Sequence, residues 1–344
     1  MDFLSRLRFY GCTILLLTGH VTLSSSVSAA EESLSRSWFE TIKRQAEDAV
    51  QSKTAGGRQF WGDIYHCSGW RIQQNVFSGQ CRLIDPESLR YTNGTFAECR
   101  TVLDEIARER NLAPKNGPAV ILIHGLLQSS RCMTSLGKSL QNAGYQTVEF
   151  DYPSTQISIP EAARNLDKVI QSLDGVSEIN FVVHSMGGLV VRAYTKEFDD
   201  PRIKRMVMLG TPNQGAELAD LTRRSWLLRT AGGPSARQLG TRSNGLIPQL
   251  PVPKFEFAVI AGSSGTACGW NPLIPGDDDG TVTVDSTRLP GASDFGVVNA
   301  MHSHLLWHED VQTQTLNFLK DGRLNVDREP QPIPGLPVQT VSKP

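Results

Sequence analysis

The residue best placed to do chemistry is Ser185, which lies between an apolar run and a segment of helical character. Residues 179–183 are largely apolar and predict a buried strand, whereas residues 187–198 predict a helix. A serine at so sharp a strand-to-helix turn projects its hydroxyl from the sheet edge, and the following helix points the positive end of its dipole at it. The alternative is a serine that only caps a helix. Val183 stands where this motif usually has its first glycine, so the motif alone does not decide between the two.

A nucleophilic serine needs a general base, a group that orients the base, and donors for the developing oxyanion. In parallel sheets such groups lie at the carboxyl ends of strands. The strand predicted at residues 119–123 is followed by His124 and Gly125, and the glycine lets the chain turn an N–H into the crevice. We therefore expect the backbone amides of Leu126 and Met186 to form an oxyanion hole. His124 is interpreted as a structural residue that braces this loop.

Two later loops offer the remaining partners of the serine. The first contains three adjacent carboxylates, Asp277, Asp278 and Asp279. One of them could face inward and orient a histidine, or the cluster could bind calcium or form a solvated turn. The second loop contains His302 and His304, just before the last predicted helix. The chain order serine, aspartate, histidine is that of the hydrolase sheet.

The pattern between residues 116 and 322 predicts the elements that must position these side chains. Apolar strands alternate there with helices of ten or so residues, which predicts an α/β fold with a doubly wound, mostly parallel sheet. The alternation stops over residues 213–253, where leucines at helical spacing are interleaved with arginines. This insert is either an ordinary amphipathic helix or a mobile cap over a site for apolar substrates.

The rest of the chain flanks that domain. Residues 31–115 predict an N-terminal extension, a helix plus a hairpin, to which no chemistry is assigned. Residues 323–344 are proline-rich and predict a disordered tail. Residues 1–30 have the features of a signal peptide, and their apolar core is shorter than the ~20 residues that a membrane span needs. We therefore expect a secreted or periplasmic protein.

Export makes disulfides permissible, and the N-terminal cysteines are the candidates. Removal of residues 1–30 leaves five cysteines. Three of them cluster in the extension, at Cys67, Cys81 and Cys99, so at least one bridge is expected there. The sequence does not say which two would pair.

Composition excludes some classes of function. The 344 residues contain 34 Lys and Arg against 35 Asp and Glu, a net charge of -1, and the basic residues are scattered. This balance argues against a nucleic-acid partner. The chain has neither a C-x-x-C pair nor an H-E-x-x-H array, so no metal site and no cofactor are expected.

Five stretches together resemble the secreted α/β-hydrolases of the lipase/esterase type. They are residues 122–126, 182–190, 209–215, 279–282 and 302–306. The resemblance covers roughly residues 115–320 and implies the α/β-hydrolase fold, with an N-terminal extension and a cap-like insert. The extension is not explained by it.

The resemblance also implies roles for individual residues. Ser185 would be the nucleophile, His302 the general base and Asp279 the carboxylate that orients it. The amides of Leu126 and Met186 would form the oxyanion hole. Residues of the same types compete with the base and the carboxylate in the same loops: His304, His308, Asp277 and Asp278.

The activity that this resemblance implies is hydrolysis of carboxylic esters through an acyl-enzyme, without a cofactor. The expected substrates are small-molecule or lipid-like esters, and contact with a membrane or lipid surface is included in this expectation. The same residues would serve an acyltransferase or a thioesterase. A hypothesis of another class is a non-catalytic binding protein with the hydrolase fold.

Overall fold

The computed structural model describes residues 58–113, 116–222 and 226–335 of the chain. The predicted signal peptide and the helix predicted over residues 31–53 lie outside these ranges, so both stay predictions. Within the described ranges, no helix combines the length and the apolar character that a bilayer crossing requires.

The described residues contain two β-sheets and a set of flanking helices. The strands are β1 (Trp61–Cys67), β2 (Trp70–Asn75), β3 (Cys81–Ile84), β4 (Arg90–Gly94), β5 (Gly117–Ile123), β6 (Gln146–Phe150), β7 (Val176–His184), β8 (Ile203–Leu209), β9 (Glu256–Ser263) and β10 (Asp294–Asn299). The helices are α1 (Phe96–Glu109), α2 (Thr134–Asn142), α3 (Ile159–Gln171), α4 (Met186–Glu197), α5 (Glu217–Thr222), α6 (Trp226–Arg237), α7 (Val284–Thr287) and α8 (Glu309–Asp321).

The larger sheet has the predicted α/β architecture. Its strands lie in the order β10-β9-β8-β7-β5-β6, and every neighbouring pair is parallel. The chain moves outward from β5 to β6 and then crosses to β7 on the other side of β5. The winding therefore reverses at β5, and in such sheets the ligand crevice lies outside the carboxyl ends of the strands at that point.

Apolar side chains fill both faces of this sheet, as expected for a strand buried on both sides. Along β5, Ala119, Ile121 and Ile123 point into one core, which also contains residues of α3 and α4. Val120 and Leu122 point into a second core, which contains residues of α2 and α8. The period of two along the strand thus separates two layers of helices, one on each face.

The N-terminal extension is a four-stranded antiparallel sheet with one helix packed on it. Strands β1 to β4 lie in chain order, and β2 and β3 form the hairpin that the sequence predicts. The helix α1 begins at a capping box in which the Thr95 side chain accepts from the Glu98 amide and the Glu98 carboxylate accepts from the Thr95 amide. It buries Cys99, Val102, Leu103 and Ile106 against the sheet.

The disulfide predicted in the extension is not formed, because the five described cysteines are free thiols. Sheet register explains why Cys67 and Cys81 cannot pair. Cys67 lies opposite Trp70 at one end of β2, whereas Cys81, on the next strand, lies opposite Gln74. Four residues of strand correspond to about 13 Å, well beyond the Cα separation of a disulfide. Cys99 is a buried thiol, and burial raises its pKa to about 12.

Residues 323–335, for which the sequence predicts a disordered tail, instead lie against the large sheet. The two carboxylate oxygens of Asp294 accept the amides of Leu324 (2.7 Å) and Gln331 (2.8 Å). Ile333 donates its amide to the carbonyl of residue 292 (2.9 Å). One buried carboxylate at the start of β10 thus fixes a segment whose composition favours disorder.

The insert, residues 213–253, includes α5 and α6 and is anchored to α4. Arg192 of α4 donates to the carbonyls of Leu250 (2.8 Å), Pro251 (3.1 Å) and Asn213 (3.0 Å). Burial lowers the pKa of Arg192 to about 10. The base of the insert is therefore held by a buried guanidinium that satisfies backbone oxygens. Movement of the insert as a cap stays a prediction.

Candidate active site

Ser185 lies in a strained turn between β7 and α4, with φ 53° and ψ -126°. For a residue with a side chain this conformation costs about 1–3 kcal/mol. The turn is held by its own backbone, since the Ser185 amide donates to the Leu209 carbonyl at 2.8 Å and its carbonyl accepts from Gly188 at 3.1 Å. A Cβ at Gly187 would lie 2.6 Å from the Ile123 carbonyl oxygen, so the first turn of α4 can pass β5 only with glycine there.

Val183, which departs from the usual motif, is accommodated because it still belongs to the strand. It is fully buried in the core on the α3 and α4 face of the sheet, and β7 continues through His184. A β-branched side chain is favourable at such a position. The sharp turn therefore begins only after His184, at Ser185.

Asp279 and His302 form a buried pair. The Nδ1 atom of His302 lies 2.7 Å from Oδ2 of Asp279, whose side chain is completely buried. The other carboxylate oxygen accepts the amides of Thr281 (3.0 Å) and Val282 (2.8 Å). A carboxylate so held can only accept, so the His302 proton lies on Nδ1 and leaves Nε2 with a lone pair.

The two neighbouring aspartates have other partners. Asp277 accepts from the Ser263 hydroxyl (2.5 Å) and the Ser264 amide (2.9 Å). Asp278 is buried and accepts from the Asn271 amide (3.1 Å) and from the amide of residue 280 (2.6 Å). Across the described part of the chain, no group of three His, Cys, Asp or Glu side chains could hold a metal ion.

The competing histidines lie differently from His302. His304 packs edge-on against Trp307, with ring centroids 6.0 Å apart. His308 precedes α8 and accepts the Asp310 amide at 3.3 Å through Nδ1, as a helix cap. It is therefore His302 that meets Asp279.

The structure brings the His302 loop against the serine turn. The His302 ring lies over Gly210, where an added Cβ would be 3.1 Å from its Nδ1 atom. Gly210 directly follows Leu209, whose carbonyl binds the Ser185 amide. His184, directly before the serine, has its ring centroid 4.7 Å from that of His302. The Ser185 turn after β7 and the His302 loop after β10 thus meet beside the carboxyl end of β8.

The loop after β5 passes equally close to the serine. A Cβ on Gly125 would lie 2.9 Å from the Ser185 Cβ, so only glycine allows this approach. The next amide in the loop is that of Leu126, and the first amide of α4 is that of Met186. Neither amide donates to an acceptor within the described ranges.

The contacts of His124 are those of a structural residue. Its ring is fully buried, donates to the Gly125 carbonyl at 2.8 Å and stacks on Tyr152 with centroids 4.4 Å apart. The Tyr152 hydroxyl donates to the His124 carbonyl at 2.8 Å. These contacts fix the bend at the end of β5.

Two residues that the sequence analysis did not single out connect the three loops. Oε1 of Gln128 accepts the Gly125 amide (2.9 Å) and lies 2.9 Å from Nδ1 of His184. Nε2 of His184 lies 3.0 Å from the His302 carbonyl oxygen. Burial, followed by the nearby His302, holds the pKa of His184 well below its ordinary value. The sequence did contain a signal for His184, because it is a polar residue at the end of an otherwise apolar strand, directly before Ser185.

Comparisons with known proteins agree with this architecture. The sequence model described as alpha/beta hydrolase fold matches residues 118–245. A search of curated protein sequences found no match.

Among solved structures, the chain is similar to a lipase from Bacillus licheniformis, BlEst2, and to a phospholipase from Legionella pneumophila, PlaB. The mature form of BlEst2 is 21% identical over 59% of this chain and 90% of its own, with a TM-score of 0.44. Its propeptide form is 21% identical over 65% and 54%, with a TM-score of 0.48. PlaB is 19% identical over 50% and 45%, with a TM-score of 0.41. Likenesses at this level carry no conclusion about the substrate of this chain.

The matched residues run from the second residue of β5 through the serine turn and into the insert. They include β6, β7, β8 and the Ser185 turn, whereas β9 and β10 lie beyond the match. The chain therefore contains a domain with the α/β hydrolase fold.

Proposed function

We propose that this protein is a serine hydrolase that cleaves carboxylic esters through an acyl-enzyme. The observation that carries the proposal is the buried Asp279–His302 pair beside the strained Ser185 turn. A helix cap or a solvated loop needs neither a strained serine nor a carboxylate that fixes the tautomer of a nearby histidine.

The reaction would proceed in two halves. His302 takes the proton from the Ser185 hydroxyl through Nε2 as the serine oxygen attacks the ester carbonyl carbon. The amides of Leu126 and Met186 hold the negative oxygen of the tetrahedral intermediate, and His302 then protonates the departing alcohol. Water, deprotonated by His302, attacks the acyl-serine, and His302 returns this proton to the Ser185 oxygen as the acid is released. Throughout, Asp279 stabilises the imidazolium that forms on His302.

Lipid-like esters are the proposed substrates because the loops that carry the site expose apolar side chains. Leu127 of the loop after β5 is 65% exposed, Met301 beside the base is 43% exposed, and Trp307 is 50% exposed. An ester with an apolar acyl or alcohol part would bury this surface, at about 25 cal/mol per Å². Contact with a membrane or lipid surface is part of the same proposal.

The decisive variant is Ser185→Ala. It should fold normally and lose almost all turnover of p-nitrophenyl esters, because the proposed acyl-enzyme forms on the Ser185 hydroxyl. Labelling by a fluorophosphonate, which requires an activated serine, should be lost in parallel. Near-wild-type turnover would refute the proposal, whereas a wild-type protein that neither hydrolyses nor labels would be a non-catalytic binding protein.

The base is tested by comparing His302→Ala with His304→Ala. Loss of a triad histidine removes on the order of 10³-fold or more of kcat, whereas removal of His304 should leave kcat within a few-fold of wild type. The same p-nitrophenyl assay measures both. A larger loss in the His304 variant would reverse the assignment.

A secreted or periplasmic location is proposed from residues 1–30 alone. The N-terminal sequence of protein recovered from the extracellular and periplasmic fractions tests it. We expect the mature chain to begin after Ala29 or Ala30. A chain that keeps its first residues in the cytoplasmic fraction would contradict the proposal.

A further inference from the structure

The N-terminal extension reaches the loop that carries the Leu126 amide through one side chain, Gln59. Its Nε2 donates to the Gln128 carbonyl at 3.3 Å. Its Oε1 accepts from the amide (3.3 Å) and hydroxyl (2.9 Å) of Thr155, in the loop after β6. Both ends of this amide thus contact the hydrolase domain, across 69 and 96 residues of chain.

A second step carries this contact to the residue next to the oxyanion amide. The fully buried Ser154 hydroxyl donates to Oε1 of Gln59 at 3.4 Å and accepts the Leu127 amide at 3.0 Å. Leu127 has a φ of 60°, a conformation that persists only where its surroundings hold it. Leu127 directly follows Leu126, so the hydrogen bond to its amide restrains the short segment that carries the amide proposed to meet the oxyanion.

A third contact holds the far end of the same loop. Asp63 of β1 is completely buried, exchanges backbone and side-chain hydrogen bonds with Asp151, and lies 3.7 Å from Arg71. Asp151 in turn accepts the amide (2.7 Å) and hydroxyl (2.9 Å) of Ser130. The extension therefore contacts the loop of residues 124–130 directly at Gln128, and it contacts Ser154 and Asp151, which hold the middle and the end of that loop.

We infer that the extension is part of the catalytic apparatus, because Gln59 positions the oxyanion loop formed by residues 124–130. Gln59 is a positioning residue and touches no reacting atom. The expected effect on turnover rests on the proposed function, whereas the positioning of the loop by Gln59 is inferred from the contacts alone. A hydrolase sheet without this support would lack the four hydrogen bonds that Gln59 makes with the oxyanion loop and with the loop after β6.

The test compares Gln59→Ala with Gln74→Ala in the full-length protein. Gln74 is a matched control, since it is also half-buried and its Nε2 donates to a backbone carbonyl within the extension, that of Gly79, at 3.1 Å. We expect Gln59→Ala to lower kcat on a p-nitrophenyl ester by about 3- to 10-fold, the worth of roughly one hydrogen bond. KM should stay within about twofold, because the oxyanion is present only in the transition state.

Amide hydrogen exchange gives a measurement that is independent of turnover. In Gln59→Ala, peptides that cover residues 124–130 should exchange faster than in wild type and in Gln74→Ala, with exchange of α8 unchanged. Unchanged exchange in that loop, an equal effect of the control, or a loss confined to KM would overturn the inference. If the wild-type protein hydrolyses no ester, the proposed function fails, and the exchange result still decides whether the extension holds the loop.

Discussion

Replacing Asp279 with asparagine would change one polar atom of a completely buried side chain and should disable the base. The amides of Thr281 and Val282 donate to one carboxylate oxygen, so the asparagine carbonyl oxygen must take that place. The reversed orientation would oppose two buried donors, at about 1–3 kcal/mol each. The new NH₂ group then faces Nδ1 of His302, which must accept, and the ring proton moves to Nε2, where it blocks proton transfer from Ser185.

The expected loss in kcat is about 10³- to 10⁴-fold, or about 4–5.5 kcal/mol of transition-state stabilisation. The matched control is Asp278→Asn, because Asp278 is equally buried and accepts two backbone amides but lies on no histidine. Both variants are assayed on a p-nitrophenyl ester, with thermal unfolding to establish that each is folded. A folded Asp279→Asn variant within about tenfold of wild type, or an equal loss in the control, would refute the reasoning.

Two further predictions concern stability. Gly188→Ala would place a Cβ 2.4 Å from the Thr211 hydroxyl oxygen. This overpacking should lower the free energy of unfolding, measured in urea, by about 1–3 kcal/mol. The control Gly335→Ala, whose Cβ would have no atom within 4 Å, should leave the free energy of unfolding unchanged. Burial would raise the pKa of Asp151, but Arg71, His124 and the hydrogen bonds from Ser130 together outweigh it and lower the pKa to about 2. Because the folded-state pKa lies below the unfolded value, this stabilisation is present above about pH 4 and is lost as the pH falls toward 2, on the order of 2 kcal/mol. Urea midpoints measured from pH 4 to pH 2 should fall less steeply in Asp151→Asn; an equal slope would contradict the assignment.

The parallel sheet could be predicted because its strands are buried on both faces. Such strands are continuous apolar runs, and β8 was predicted with the bounds that the structure has, Ile203–Leu209. The candidate site followed from the rule that functional groups lie at the carboxyl ends of such strands, which limits the search to a few loop residues.

The extension could not be predicted in the same way, since its polar residues are buried by distant partners. Asp63 lies inside β1 and is completely buried, although nothing near it in sequence suggests this. Its partner Asp151 is 88 residues away. The contact of Gln59 with Gln128 spans 69 residues. Periodicity reports neighbours along the chain, so it missed β1 and the connection between the extension and the oxyanion loop.

The two outer strands of the large sheet, β10 and β6, each have an open side, and chain from outside the domain binds next to one end of each strand. Beside β10, residue 333 exchanges backbone hydrogen bonds with residues 291 and 292. At the end of β6, the Asp63 amide of the extension donates to the Asp151 carbonyl at 2.8 Å. Unpaired strand edges are templates for intermolecular pairing and aggregation. A version trimmed to residues 116–322 would lose both contacts, and we expect it to aggregate at concentrations at which the full chain stays dispersed.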